Sequence, residues 1–143
     1  MKPIDPNALF SIFEYKDEDI YQEAGASEIL DNPYVLMGMV LRGIENWMMM
    51  DELCRNKYPE QYREVRNSIR KKYNDRLDTY LIRIDIDREE SIYKIGESFP
   101  KVGIANGLNH LIRYYERYEE YEKCGVIKKY LDKILMAELE VMF

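Results

Sequence analysis

A chain of 143 residues with a formal net charge of −6 suits one domain, which at this size buries roughly 68 to 70% of the surface its unfolded chain exposes. With 46% hydrophobic and 34% charged residues, the composition is that of a globular protein whose core needs no cross-links, and it argues against intrinsic disorder. The two cysteines, Cys54 and Cys124, lack CxxC spacing. They are expected to be separate thiols of a cytoplasmic protein, not a zinc knuckle, a redox pair or a disulfide.

The opening residues, MKPIDPNALFSIFEYKDED, place acids and prolines where a signal peptide has a basic start and an apolar run. The most apolar stretch, Tyr34 to Met50, is interrupted by Arg42 and Glu45 and falls short of the roughly 20 apolar residues that span a bilayer. A soluble intracellular protein without a membrane partner is expected. Its charge is uneven: residues 1–53 hold three Lys/Arg against eleven Asp/Glu, and residues 55–76 hold eight against three. Such segments pair with one another or face different partners.

In chain order, Asp5 before Pro6 marks the first helix start, a capping side chain ahead of a proline whose missing N–H costs nothing. This predicts short helices near 6–15 and 17–24, an acidic segment 1–31 that packs on a core of residues 33–141. Asn32 with Pro33 opens a helix over 33–56, and Pro59 opens one over 59–84. Asp87 with Glu90 reads as a capping-box variant for a helix over 88–97. Pro100 opens a helix over 100–123, and Gly125 is expected as the left-handed residue that separates it from a last helix over 126–141. The fold class is therefore all-α, a compact single-domain bundle of about five to seven helices. YLIRIDID alternates Ile82, Ile84 and Ile86 with Arg83, Asp85 and Asp87, which leaves a minor strand near 80–87 as the alternative. No second strand is available to pair with it. Tyr62, Val65, Ile69, Tyr73, Leu77, Tyr80 and Ile84 keep the helical spacing through it.

ENWMMMDEL holds the only tryptophan and three consecutive methionines. Neighbours on a helix diverge by about 100°, so three sulfurs in a row cannot converge on a soft metal ion. Taken from Val40, the residues Met37, Leu41, Ile44, Trp47 and Met48 fall in the arc of a buried face, and Trp47 and Met48 are expected to fill the core. Met49 lands opposite, as a surface contact residue. Thirteen tyrosines stand against four phenylalanines. In RYYERYEEY, Tyr115 and Tyr118 align with Ile104 and Leu108 as core, whereas Tyr114 and Tyr121 fall on the shoulder, where a ring is half covered and its hydroxyl seeks a partner. Gly103 and Gly107 on that side invite close approach of another helix.

No GxGxxG, GxxxxGK[ST], GxSxG or HExxH motif occurs. The single histidine, His110, has Gly107 and Gly103 where a bundle metal site places further ligands. DIDREE lacks the glycine and the twelfth-position glutamate of a calcium loop, so its acids are expected to end one helix and cap the next. Cys124 and His110, on one predicted helix, would lie about 20 Å apart, too far for a nucleophile and its base. No catalytic residue, metal or cofactor is expected. Arg63, Arg66 and Arg70, with Tyr62 and Tyr73 as stacking rings, carry the alternative of a nucleic-acid-binding helical domain. The net negative charge and the interspersed Glu60, Glu64 and Asp75 oppose it.

The favoured reading is a non-catalytic protein–protein interaction module. In kind the chain is similar to the small, acidic, tyrosine-rich helical proteins that serve bacteria and their phages as regulatory or inhibitory accessory factors by covering a partner's surface. Asp17, Glu18 and Asp19 would face a basic or nucleic-acid-handling partner, or Met49, Tyr114 and Tyr121 would form the contact patch. The apolar end LMAELEVMF, with Met142 and Phe143 in want of cover, predicts self-association as a homodimer.

Overall fold

The computed structural model describes residues 32–142, with side chains through residue 137. The helices expected over 6–15 and 17–24, their packing, and the Met142 and Phe143 side chains lie outside the described residues. At the first described position, the Asn32 side chain accepts from the Tyr34 N–H at 3.1 Å, and Pro33 occupies the first turn. This is the cap the sequence predicts.

Five helices follow: α1 (Pro33–Lys57), α2 (Pro59–Ile82), α3 (Glu89–Ser98), α4 (Lys101–Arg117) and α5 (Tyr121–Met142). No strand occurs among the described residues, and the architecture is an all-α bundle. α1 packs along α2 and α4 along α5; α1 also crosses α4, and α3 bridges α1 and α5. Leu36, Val40, Ile69, Leu81, Ile95, Ile104, Leu108, Leu111 and Ile127 are buried at the centre. The α1–α2 crossing is close because Gly43 has no side chain: a Cβ there would run into Leu77. Trp47 packs against Tyr73 across the same seam, with ring centroids 5.9 Å apart.

Several boundaries differ from the sequence reading. First, α2 ends at Ile82, not at residue 84, and Ile84 and Ile86 belong to the turn beyond it. Ile84 and Ile86 dip into the core while Ile82 stays exposed. The Tyr130 hydroxyl reaches the carbonyls of Ile84 at 2.8 Å and Ile82 at 3.2 Å, supplying a donor where a helix end leaves its carbonyls without one. Period-two burial here reports a tight descent into the core, with no ladder of paired strands. Second, Asp87 does not cap α3. Arg88 holds that position without a side-chain bond, and the Asp87 carboxylate accepts from Lys133 at 2.7 Å. Pro100 likewise sits at the N-cap of α4 and not inside it.

Third, the break between the last two helices falls at Tyr118–Glu120, and Gly125 lies inside α5. Glu119 takes the left-handed conformation with φ 60. Its N–H donates to the Glu116 carbonyl at 3.0 Å, and the Glu120 N–H donates to Tyr115 at 2.9 Å. These two bonds form a Schellman cap with glutamate where glycine is usual. Packing of α4 along α5 holds that turn in place despite the left-handed cost of about 1 kcal/mol. Gly125→Ala is therefore expected to stabilise the protein by roughly 0.5–1 kcal/mol, and Glu119→Gly by a few tenths to about 1 kcal/mol. Urea unfolding checks both; a loss of stability in Gly125→Ala would place the left-handed residue at 125 after all.

The same turn corrects two further expectations. Tyr114 faces inward at 4% exposure and Tyr118 is 46% exposed, the reverse of their predicted places. Cys124 is not on a helix continuous with His110. Its thiol folds back to donate to the Ile112 carbonyl at 3.4 Å. Burial, then the neighbouring Glu116, pushes that thiol up from its ordinary value, so it stays protonated and unreactive. Cys54 is also buried and free, pushed up by burial and by Asp51.

Candidate functional site

Between α1 and α4 runs a cleft of about 1240 Å³. α4 contributes Gly103, Asn106, Gly107, His110 and Arg113, whose spacings of three and four lay them in one stripe. α1 contributes Tyr34, Gly38, Leu41, Arg42, Glu45 and Met48, and Phe99 and Pro100 also line the space. The two glycines on α4 have different parts. A Cβ at 107 would collide with Leu41, so Gly107 sets how near the helices come. At 103 nothing stands within 4 Å, so Gly103 leaves the cleft open. The lining is apolar except for the amides of Asn106 and Asn109, the half-buried imidazole of His110, and the charged Arg42, Arg113 and Glu45.

Met48 lines this cleft at 57% exposure, although its helical angle put it in the core. The buried face of α1 is narrower than the predicted arc and centres on Val40, Trp47 and Asp51, which leaves Met48 about 80° to one side. Met49 is 70% exposed and Tyr121 is 64% exposed, and neither lines the cleft. Asp17, Glu18 and Asp19 lie outside the described residues.

The basic stretch on α2 is only partly open. The Asp51 carboxylate, 6% exposed, accepts from the Tyr62 hydroxyl at 2.7 Å and from Arg66 Nε at 2.6 Å and Nη2 at 3.0 Å. Arg55 adds a longer pair at 3.4 Å. Burial alone would push this carboxyl up, but the bonds from Arg66 and Tyr62 outweigh it and hold Asp51 below the usual carboxylate range. Arg66 and Tyr62 thus belong to the α1–α2 seam. Tyr62 and Tyr73 are both buried, so neither ring is open for a base to stack on. A second seam is Asp75, which accepts from Lys71 at 2.6 Å, the Tyr115 hydroxyl at 2.8 Å and Lys123 at 3.2 Å, tying α2 to α4 and α5.

Arg63 is exposed. Arg70 lies over the Tyr114 ring, 5.0 Å from its centroid, and its Nε is buried without a hydrogen-bond partner among the described residues. The structure thus joins two residues that the sequence assigned to separate readings. Burial and the nearby Tyr118 push the Tyr114 phenol up to about 12. Sequence reasoning passed over Arg42, Glu45, Met48, Asn106 and Arg113 as site residues. The usable signal was the small and polar stripe from Gly103 to Arg113 at helical spacing.

Among the described residues, no group of three or more His, Cys, Asp or Glu side chains is placed to hold a metal ion, and no helix is long and apolar enough to cross a membrane. Set beside known proteins, the chain matches no family model, no curated protein and no solved structure, so a functional reading rests on the geometry of the cleft and its surroundings.

Proposed function

We propose that this protein is a non-catalytic binding module, a small regulatory or inhibitory accessory protein of the cytoplasm that holds a segment of a partner protein in the α1–α4 cleft. The observation that carries this reading is the open cleft itself, with exposed Met48 and Tyr34 on its wall and Gly103 leaving its floor free. Clefts with an apolar lining and a few polar groups are where folds of this kind take up segments of other molecules, and a flexible methionine adapts to the shape it meets. Arg42 and Arg113 outnumber Glu45 on the lining, so an apolar segment with acidic flanks fits best. Residues 1–31 carry eight acidic and two basic side chains, the whole net charge of −6, whereas residues 32–143 are balanced at nineteen each. That acidic segment would meet a second, basic surface of the partner. The nucleic-acid reading is weaker, because of its five residues Tyr62, Tyr73 and Arg66 are committed to the core and its seam.

A photoactivatable residue at Asn106 or at Met48 in the full chain, irradiated in the native host, is expected to capture one and the same partner. Placed at the exposed Tyr93 on α3, which is not among the cleft residues, it is expected to miss that partner. Different products from Asn106 and Met48, equal capture from Tyr93, or capture of a second copy of the chain would each overturn the reading.

A further inference from the structure

Where α2 passes α4 at the His110–Arg113 end of the cleft, basic side chains collect. Arg70 from α2 stacks on Tyr114. On α4, His110 stands one turn before that tyrosine and Arg117 one turn after, with Arg113 adjacent. The charged side chains that act most on Arg70 are Arg66 and Arg117, and those that act on His110 are Arg70 and Arg113; the nearest acids, Asp75 and Glu120, act on Tyr114. Arg66 is already matched by Asp51, but Arg70 Nε and His110 Nε2 are buried with no hydrogen-bond partner among the described residues. Unmatched like charges and orphaned donors in half-buried positions oppose folding. Binding sites are where proteins retain such costs.

We propose that Arg70, stacked on the Tyr114 ring, and His110 and Arg117, one helical turn to either side of that tyrosine on α4, bind the oxygens of a phosphate monoester. A dianion with three acceptor oxygens matches several guanidinium forks at once, where a single protein carboxylate would satisfy one. The Tyr114 ring holds the Arg70 guanidinium in place by its face, so less side-chain freedom is lost on binding. The site shares His110 with the cleft lining, but phosphate binding needs no protein in the cleft.

His110 is the only histidine, so its ring proton gives one isolated NMR signal in the intact full-length protein. Without ligand its pKa is held below the ordinary value by burial first, then by Arg70 and Arg113. A bound phosphate favours the imidazolium, so inorganic phosphate is expected to raise that pKa by roughly half a unit or more relative to chloride of equal ionic strength. By reciprocity, the imidazolium form of His110 binds a phosphate dianion more tightly than the neutral ring does. Arg70→Met is expected to abolish the phosphate-dependent shift and to raise the melting temperature, since it removes a half-buried cation whose Nε has no acceptor among the described residues; a purely structural Arg70 would lower it. Arg117→Met, at an exposed position, reports the same loss should Arg70→Met fail to fold. Arg63→Met is expected to leave the shift intact. The site is overturned by a histidine pKa that ignores phosphate, or by a shift that survives both Arg70→Met and Arg117→Met. An oligonucleotide lacking a terminal phosphate that displaces inorganic phosphate would overturn the monoester in favour of a nucleic-acid backbone.

Discussion

Asp51→Ala is expected to cost about 2–4 kcal/mol of stability at pH 7, the largest loss expected from any surface-charged residue type in this fold. The carboxylate is buried and carries a bidentate bond from Arg66 and a hydroxyl bond from Tyr62. Its removal strands a buried phenol and a part-buried guanidinium, whose lost solvation is not returned. The exposed Asp87–Lys133 pair has a similar distance of 2.7 Å, but water screens it, and Asp87→Asn is expected to be nearly silent in urea unfolding. The pH dependence separates the two further. Because the folded Asp51 carboxyl lies below its ordinary 3.8, its contribution is complete above that value and disappears as the pH falls through the folded pKa. The stability gap between wild type and Asp51→Asn should therefore shrink below about pH 4. A gap that is constant from pH 7 to pH 2 would show that Asp51 acts by shape and not by charge.

Gly103→Tyr is expected to weaken partner binding at least 100-fold, a loss of about 2.8 kcal/mol, while leaving the fold intact. Nothing stands within 4 Å of the position where its Cβ would be, so a ring enters the cleft without displacing the core. The added side chain also removes the backbone freedom a helical glycine keeps when unfolded, so the melting temperature should hold or rise. Gly96→Tyr on α3 is the control: its Cβ is equally unobstructed, and residue 96 is not part of the cleft lining. It should leave partner binding unchanged, and its melting temperature should likewise hold or rise. Equal affinity in Gly103→Tyr and wild type, measured with the partner captured by cross-linking, would remove the cleft from the account. Gly107 cannot serve this test, because a side chain there meets Leu41 and forces α1 away from α4.

The helical spacing of apolar residues, together with Asn32–Pro33 and Pro59, was enough to place α1 and α2 almost to the residue, although it left a minor strand near 80–87 as the alternative. These signals are local, since a cap or a repeating apolar face acts within a turn or two of chain. Trp47 in the core and Met49 on the surface followed from angle alone. The α4–α5 turn did not. Local rules favour Gly125 as the left-handed residue, yet Glu119 adopts that conformation because packing between the helices fixes where the chain must reverse. Moving the turn by six positions exchanged the burial of Tyr114 and Tyr118 and broke the helix that had kept Cys124 far from His110.

The composition of this chain and its 3.6-residue rhythm determined an all-α bundle and most of its buried faces, because burial of an amphipathic stripe is a property of each helix taken singly. Only the tertiary structure decided that Arg66 is tied to Asp51 while the Arg70 Nε has no hydrogen-bond partner among the described residues, and that Gly103 opens a cleft while Gly107 closes a contact. Those distinctions depend on which residue of a distant helix arrives opposite, and the order of residues along one helix carries no information about its neighbour's register.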